Sequence, residues 1–425
     1  MTCLSCDTNS MASNDGTVLA EAASMGQQGW FRWVSSSVTH LAKVERRIMQ
    51  SLKSKLVSQF VFLPQSQNRL WTVSANPGKD RNPLVMIHGM AGGVGLWAQN
   101  IDSLCTKRPL HVFDLLGFGR SSRPKFSKKA ELAEMEFVES VEEWRKEMQL
   151  DKMVLLGHSL GAFIASSYAL KYPERIQHLI LVDPWGFEEK PSDNESIPRW
   201  ARVIITLVRP FNPLAIIRAA GPWGPGLVKK FRPDLKQKFS DLFDDDTIFE
   251  YIYHCNAQKP RSRHGSKMMV VIGNVCMNEK TCIQILTCCF LGLEIYFCAS
   301  GETAFKALSM SFGWAKHPMI KRVGQIQKSI PMTFIHGSES WISPDTSYTV
   351  KYIRKDSYVD VQVIRDAGHH VYADQPHAFN HLVKKILDNI DSAKGNESSQ
   401  SSPLADRGLP SGKTDLESVP ITLPT

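Results

Sequence analysis

The stretch Met153-Val154-Leu155-Leu156-Gly157-His158-Ser159-Leu160-Gly161 joins a short apolar run to a helical one through a serine set between glycines. Met153 to Leu156 has the length and composition of a buried strand, and Gly161 to Leu170 reads as a helix. A sharp strand-to-helix turn puts the serine in a strained backbone conformation with its hydroxyl exposed. It leaves no space for side chains at the flanking positions, here Gly157 and Gly161. The helix N-terminus beyond the serine favours the negative charge that develops at an attacked carbonyl. Ser159 is therefore the candidate nucleophile, on a turn of the nucleophile-elbow type.

Outward from this turn, strands and helices alternate. Leu70 to Ser74, Leu84 to His88 and His111 to Asp114 read as strands, and residues 131 to 149 as a helix. His178 to Asp183, Met332 to Gly337 and Val361 to Arg365 supply further strands. Short apolar strands between helices predict an α/β fold built on a mostly parallel sheet. Between Trp185 and about Arg322 the rhythm stops and helix and aromatic residues increase. An insertion there, after the strand ending at Asp183, is expected to form a helical cap over the carboxyl edge of the sheet.

His88-Gly89-Met90-Ala91-Gly92-Gly93 directly follows the strand ending at Ile87. A glycine-rich loop at that place lets backbone N–H groups face a substrate oxygen, and Met90 and Leu160 are the expected oxyanion donors. The rival, a phosphate-cradling loop, lacks its Lys and Ser/Thr. The general base should follow the last strand, where Gly368-His369-His370 stands, and His369 is the candidate, with His370 a spectator. The acid is expected after the strand ending at Gly337. Glu339 is the first candidate there and Asp345 the second, with Asp183 as a third from the preceding strand. A chain with no acid in place, and a poorly oriented His369, is the remaining alternative.

A net charge of +8 and a pI near 8.9 favour anionic surfaces. The charge is spread along the chain without an arginine-rich run, which argues against nucleic acid as a partner. The nine cysteines form no regular framework, and no signal peptide is visible at the start, so a reduced intracellular protein is expected, with the sequons at Asn194 and Asn396 unmodified. Cys276, Cys282, Cys288, Cys289 and Cys298 lack paired ligand spacing, so neither a metal nor a cofactor is expected. The apolar window Ile283 to Phe297 is too short to span a membrane and contains Glu294. Residues 1–28 are small and polar, and residues 391–425 are rich in Ser, Pro, Gly and charge, so both are expected to be disordered. Residues 29–58 read as an amphipathic helix with basic flanks. Either it packs on the α/β domain (59–390), or it lies on a membrane surface through Trp30, Phe31 and Trp33.

Four longer runs carry a resemblance: residues 113–124 (Phe113 to Pro124), 181–187 (Leu181 to Phe187), 250–256 (Glu250 to Asn256) and 370–376 (His370 to Pro376). In these the chain resembles the α/β-hydrolase domain-containing proteins four and five, over most of residues 28 to 391. The resemblance implies an α/β-hydrolase fold and lipid substrates. One branch of the subgroup has asparagine at the nucleophile and acts as a lipase co-activator. With Ser159 this chain is similar to the other branch, a lysophospholipase that deacylates N-acyl phosphatidylethanolamine and its lyso form. The implied products are fatty acid and a glycerophospho-N-acylethanolamine. A non-enzymatic lipid-droplet adaptor docked on a lipase is the second reading, and Ser159 argues against it. The third is a lysophosphatidic acid acyltransferase, because His369-x-x-x-x-Asp374 matches a pattern linked to acyl transfer in this subgroup; the alternative for Asp374 is a turn cap. By the resemblance the protein works in the cytoplasm, peripherally on membranes or lipid droplets. Three departures stand out. The subgroup usually carries an aspartate where Ser343 stands, Ala162 replaces a glycine after the elbow, and residues 261–299 intervene as an atypical insertion in the cap.

Overall fold

The apolar runs form the middle of one sheet. In the computed structural model, which describes residues 36–78, 81–190, 220–258, 300–310, 313–392 and the backbone of 393–400, the strands are β1 (Leu56–Leu63), β2 (Asn68–Ala75), β3 (Leu84–Ile87), β4 (Leu110–Phe113), β5 (Met153–His158), β6 (Ile176–Val182), β7 (Met332–Gly337) and β8 (Val359–Ile364). They pair in the order β1-β2-β4-β3-β5-β6-β7-β8. β1 and β2 run antiparallel at one edge, β2 meets β4 antiparallel, and every later pair is parallel.

A parallel sheet covered on both faces needs strands that are apolar throughout. β3 meets this along its length and β5 from Met153 to Leu156, with every residue of both strands buried. Side chains alternate between the faces. Met86, Val154, Leu156 and Ile180 enter one hydrophobic core, and Val85, Ile87, Leu155 and Leu181 enter the other. The helices covering the faces are α1 (Val38–Gln50), α2 (Ala98–Leu104), α3 (Ala130–Glu147) and α4 (Leu160–Lys171), with α5 (Gly224–Phe231), α6 (Asp234–Lys238), α7 (Thr247–Asn256) and α8 (Ser300–Leu308) in the cap. α9 (Asp345–Ile353), α10 (Val371–Asp374) and α11 (Pro376–Gln400) complete the domain.

Three boundaries differ from the sequence reading. The expected helix over 29–58 is the shorter α1, capped by the Ser37 hydroxyl and ended where Ser51 Oγ donates to Ile48 O. Beyond it the Asp102 carboxylate accepts from the Lys53 and Ser54 N–H groups and turns the chain into β1, a strand the helical pattern had absorbed. Leu41, Val44 and Ile48 of α1 are buried, so its apolar stripe is covered by protein. Trp30, Phe31 and Trp33, the segment 1–28, the insertion at 261–299 and the tail from 401 lie outside the described residues. Finally, α11 continues into the stretch expected to be disordered, because Asp391 is held to the domain.

That hold comes from Arg108, whose side chain is almost fully buried. Its guanidinium donates to Asn82 O (3.0 Å), Leu387 O (3.2 Å) and both carboxylate oxygens of Asp391 (2.8 Å each). Removing one partner of a buried pair leaves the others unsatisfied. Arg108→Ala should lower unfolding stability by about 3 kcal/mol in urea titration, and a change within experimental error would show that α11 docks without this contact.

Candidate active site

Ser159 sits between β5 and α4 at φ 53° and ψ −116°, in the left-handed half of backbone space. Close packing holds it there. A Cβ at Gly161 would lie 2.5 Å from Ile87 O and 2.6 Å from His88 O, so only glycine fits where α4 starts against the end of β3. The Ser159 N–H donates to Val182 O (3.0 Å), which fixes the turn to the next strand.

The hydroxyl of Ser159 donates to His369 Nε2 at 3.0 Å. His369 Nδ1 in turn donates to Asp183 Oδ2 at 2.5 Å. A carboxylate only accepts, so this contact assigns the imidazole tautomer and leaves Nε2 as acceptor toward Ser159. The structure thus brings Ser159 and His369 together, but the carboxylate beside them is the third candidate. Glu339 is exposed and makes its contact through its backbone N–H, to Ala367 O at 2.9 Å. Asp345 is also exposed, at the first turn of α9, where it accepts from Ser343 Oγ at 2.7 Å. Asp183 follows the end of β6, which neighbours β5, and its own left-handed backbone (φ 45°) aims a fully buried carboxylate at His369. The first and second choices for the acid are therefore corrected to Asp183. The carboxylate in contact with His369 follows β6, one strand earlier in the chain than the β7 loop that carries Glu339 and Asp345.

Asp183 is well supported. His336 Nδ1 donates to its Oδ1 (3.2 Å), Ser347 Oγ donates to His336 Nε2 (2.8 Å), and Ser340 Oγ donates to Asp183 Oδ2. Burial by itself would raise the carboxyl pKa, but the hydrogen bonds from His336, His369 and Ser340 outweigh it and hold it below the usual aspartate value. It stays an anion, able to stabilise an imidazolium.

Two histidines outside the expected set shape the loop above. The His88 ring donates through Nδ1 to Gly89 O (2.7 Å) and accepts the Leu115 N–H at Nε2 (2.9 Å); burial brings its pKa down to about 4, so the ring is neutral. Gly89 O also accepts from the Gly92 N–H at 3.2 Å. With the Gly89 carbonyl so engaged, the trans peptide turns the Met90 N–H to the opposite side. A Cβ at Gly89 would come within 3.0 Å of Ser159 Cβ, so the loop lies directly over the serine. His158 donates from Nε2 to His369 O at 2.9 Å, and burial keeps it neutral. From the cap, Tyr251 Oη accepts the Gly95 N–H (2.8 Å) and Asn256 Nδ2 donates to Ala91 O (2.9 Å). A strand-end histidine next to a glycine loop is the only signal that would have singled out His88 from sequence.

Asp374 is not directed at the His369 ring. Its Oδ2 accepts the Gly368 N–H (3.0 Å) and its Oδ1 pairs with Lys238 (2.7 Å), so it caps the turn that presents His369. His370 is half-buried, and desolvation, with the nearby charges of Arg232 and Lys238, keeps it neutral. Ser159, His369 and Met90 border a cavity of about 280 Å³, with Trp185, Leu235 and Phe305 among its apolar walls.

Fold and site define the class: this is an α/β hydrolase. A family model described as the alpha/beta hydrolase fold matches residues 82–214. The (lyso)-N-acylphosphatidylethanolamine lipases of Bos taurus and Homo sapiens are 49% and 48% identical, over 88% of this chain and 100% of theirs. The 1-acylglycerol-3-phosphate O-acyltransferase ABHD5 of Homo sapiens is 43% identical over 84% of this chain and 92% of its own. The chain belongs to the α/β-hydrolase subgroup that these lipases and ABHD5 make up. Among solved structures, a bacterial membrane phospholipase A covers 88% of this chain and 96% of its own with a TM-score of 0.55 at 19% identity, a likeness of fold.

Losing the orienting carboxylate of a Ser-His-Asp arrangement costs on the order of ten-thousand-fold in turnover. Asp183→Asn should lower kcat for ester hydrolysis by about that factor, while Glu339→Gln and Asp345→Asn leave it near wild type. A large loss in Glu339→Gln with an active Asp183→Asn would return the role to the β7 loop.

Proposed function

We propose that this chain deacylates N-acyl phosphatidylethanolamine and its lyso form through an acyl-enzyme on Ser159. The observation that carries it is the unbroken line of hydrogen bonds from Ser159 through His369 to Asp183 at a largely apolar cavity. Ser159 Oγ attacks the ester carbonyl as its proton passes to His369 Nε2, and the anionic Asp183 stabilises the imidazolium. The Met90 and Leu160 N–H groups serve the oxyanion, at the loop over the serine and the start of α4. The tetrahedral intermediate then expels the glycerol oxygen, which takes the proton from His369. Water, activated by the same imidazole, releases the fatty acid. The choice of substrate is supported by the lipases to which the chain is similar along its length.

We place this chemistry at the surface of a membrane or lipid droplet, with a protein partner there as a further element of the reading. Trp30, Phe31 and Trp33 stand ahead of α1, which carries Lys43, Arg46 and Arg47. No helix among the described residues is long and apolar enough to cross a membrane. Aromatic rings at the headgroup level with nearby cations would hold the chain peripherally.

Two measurements test these statements. Ser159→Ala should lose fluorophosphonate labelling and lower lysophospholipase turnover by about a million-fold; near-normal turnover would remove Ser159 from the mechanism. In sedimentation with anionic liposomes, the double substitution Trp30→Ala, Trp33→Ala should reduce the bound fraction, and the attraction supplied by the basic residues should weaken as salt rises. Unchanged binding with a lower melting temperature would assign the tryptophans to packing.

A further inference from the structure

The walls of the cavity that holds Ser159 are formed mainly by apolar side chains, among them Met90, Leu96, Trp185, Leu235 and Ile252, and one residue that lines it carries a permanent charge: Arg232, at the end of α5. No carboxylate lines this cavity among the described residues. The Arg232 side chain is 42% exposed, so its guanidinium stands in the cavity wall within reach of a solute anion. Asp234 engages one edge of its guanidinium, with Oδ1 accepting from Nε (2.9 Å) and Oδ2 from Nη2 (2.9 Å). Nη1 has no hydrogen-bond partner among the described residues. Fork geometry of this kind suits a planar or tetrahedral oxyanion at the remaining edge.

Arg232 is also fixed in register with the catalytic turn. Asp234 Oδ2 accepts from Lys238 (3.0 Å), Lys238 pairs with Asp374 Oδ1 (2.7 Å), and Asp374 Oδ2 takes the Gly368 N–H (3.0 Å), one residue before His369. An alternating chain of charges thus runs from the cap to the turn presenting the base. Asp234 remains ionised throughout this chain: burial would raise its pKa, but the bonds from Arg232 and Lys238 bring it down to about 2.

We infer that Arg232 is the anchor for the substrate's phosphodiester, holding it a few bonds from the acyl ester while Ser159 attacks. This rests on the reading of the chain as a phospholipid deacylase. It assigns to the cap, through one side chain, the choice of phosphorylated over neutral glycerol esters. The Lys238 and Asp374 links position the anchor and do not touch substrate.

The test compares kcat/KM on a short-chain N-acyl lysophosphatidylethanolamine with that on a monoacylglycerol of the same acyl chain. Both are used as monomers, so that no lipid surface supplies phosphate. One charge-assisted contact gives wild type a preference of about 10- to 100-fold for the phosphorylated ester. Arg232→Met should remove that preference through KM, and Arg232→Lys should keep part of it as a point charge. Asp234 retains Lys238 as a partner in either variant. If Arg232→Met does not fold, Arg232→Gln, which can still bond Asp234, takes its place and should show the same loss of preference. Variants that keep the wild-type ratio, with both rates lowered alike, overturn the assignment of Arg232 and leave the deacylase reading standing. Wild-type protein that cleaves the monoacylglycerol and not the lysophospholipid overturns both.

Discussion

Ser159 holds a left-handed backbone conformation, and a residue with a Cβ stays there only where its surroundings allow no other path. Gly161 against β3 and the Ser159 N–H on Val182 O supply those surroundings. The turn directs the hydroxyl out of the sheet at the junction of β5 and β6. Because β6 lies beside β5, a carboxylate just past the end of β6 is within reach of an imidazole that covers the serine. The last strand, two places beyond β6 in the sheet, delivers that imidazole through a turn tied down by Asp374 and by His158. The position of each group follows from where the backbone is forced to bend.

Most of this architecture was legible in the amino-acid pattern. Fully apolar runs such as Met153 to Leu156 have one comfortable place, inside a two-faced sheet, and the glycines around Ser159 have no other use at that spacing. β1 was not legible, since Leu56 and the leucines before it fit a helical stripe as well as a strand, and the Asp102 carboxylate that breaks the helix comes from a distant part of the chain. The acid was misplaced for a similar reason. Periodicity reports which strand a residue ends, but not which strand ends are neighbours in space. Only the pairing of β5 with β6 brings Asp183 forward over Glu339 and Asp345.

The cap and the loop over the serine form one unit. α7 reaches down with Tyr251 and Asn256 to the loop, and upward it meets the start of α1, where Ser36 Oγ bonds His254 Nδ1 (2.8 Å) and Gln258 Nε2 donates to Ser37 O (3.1 Å). Beneath, the Asp114 carboxylate accepts the Val94 and Arg120 N–H groups, closing the same loop from the sheet side. The glycine-rich segment is thus braced from above and below, and the position of its N–H groups depends on residues from α1, β4 and the cap together.

With the carboxylate contributed by β6, the loop after β7 is released from a duty that would otherwise freeze its sequence. Ser343 and Glu339 then have no part in orienting His369, and Trp341, 70% exposed with its ring 5.1 Å from that of His369, borders the cavity. Such a loop is raw material for divergence. Lineages that share the buried machinery can reshape this threshold independently, and so change what enters without disturbing how it reacts.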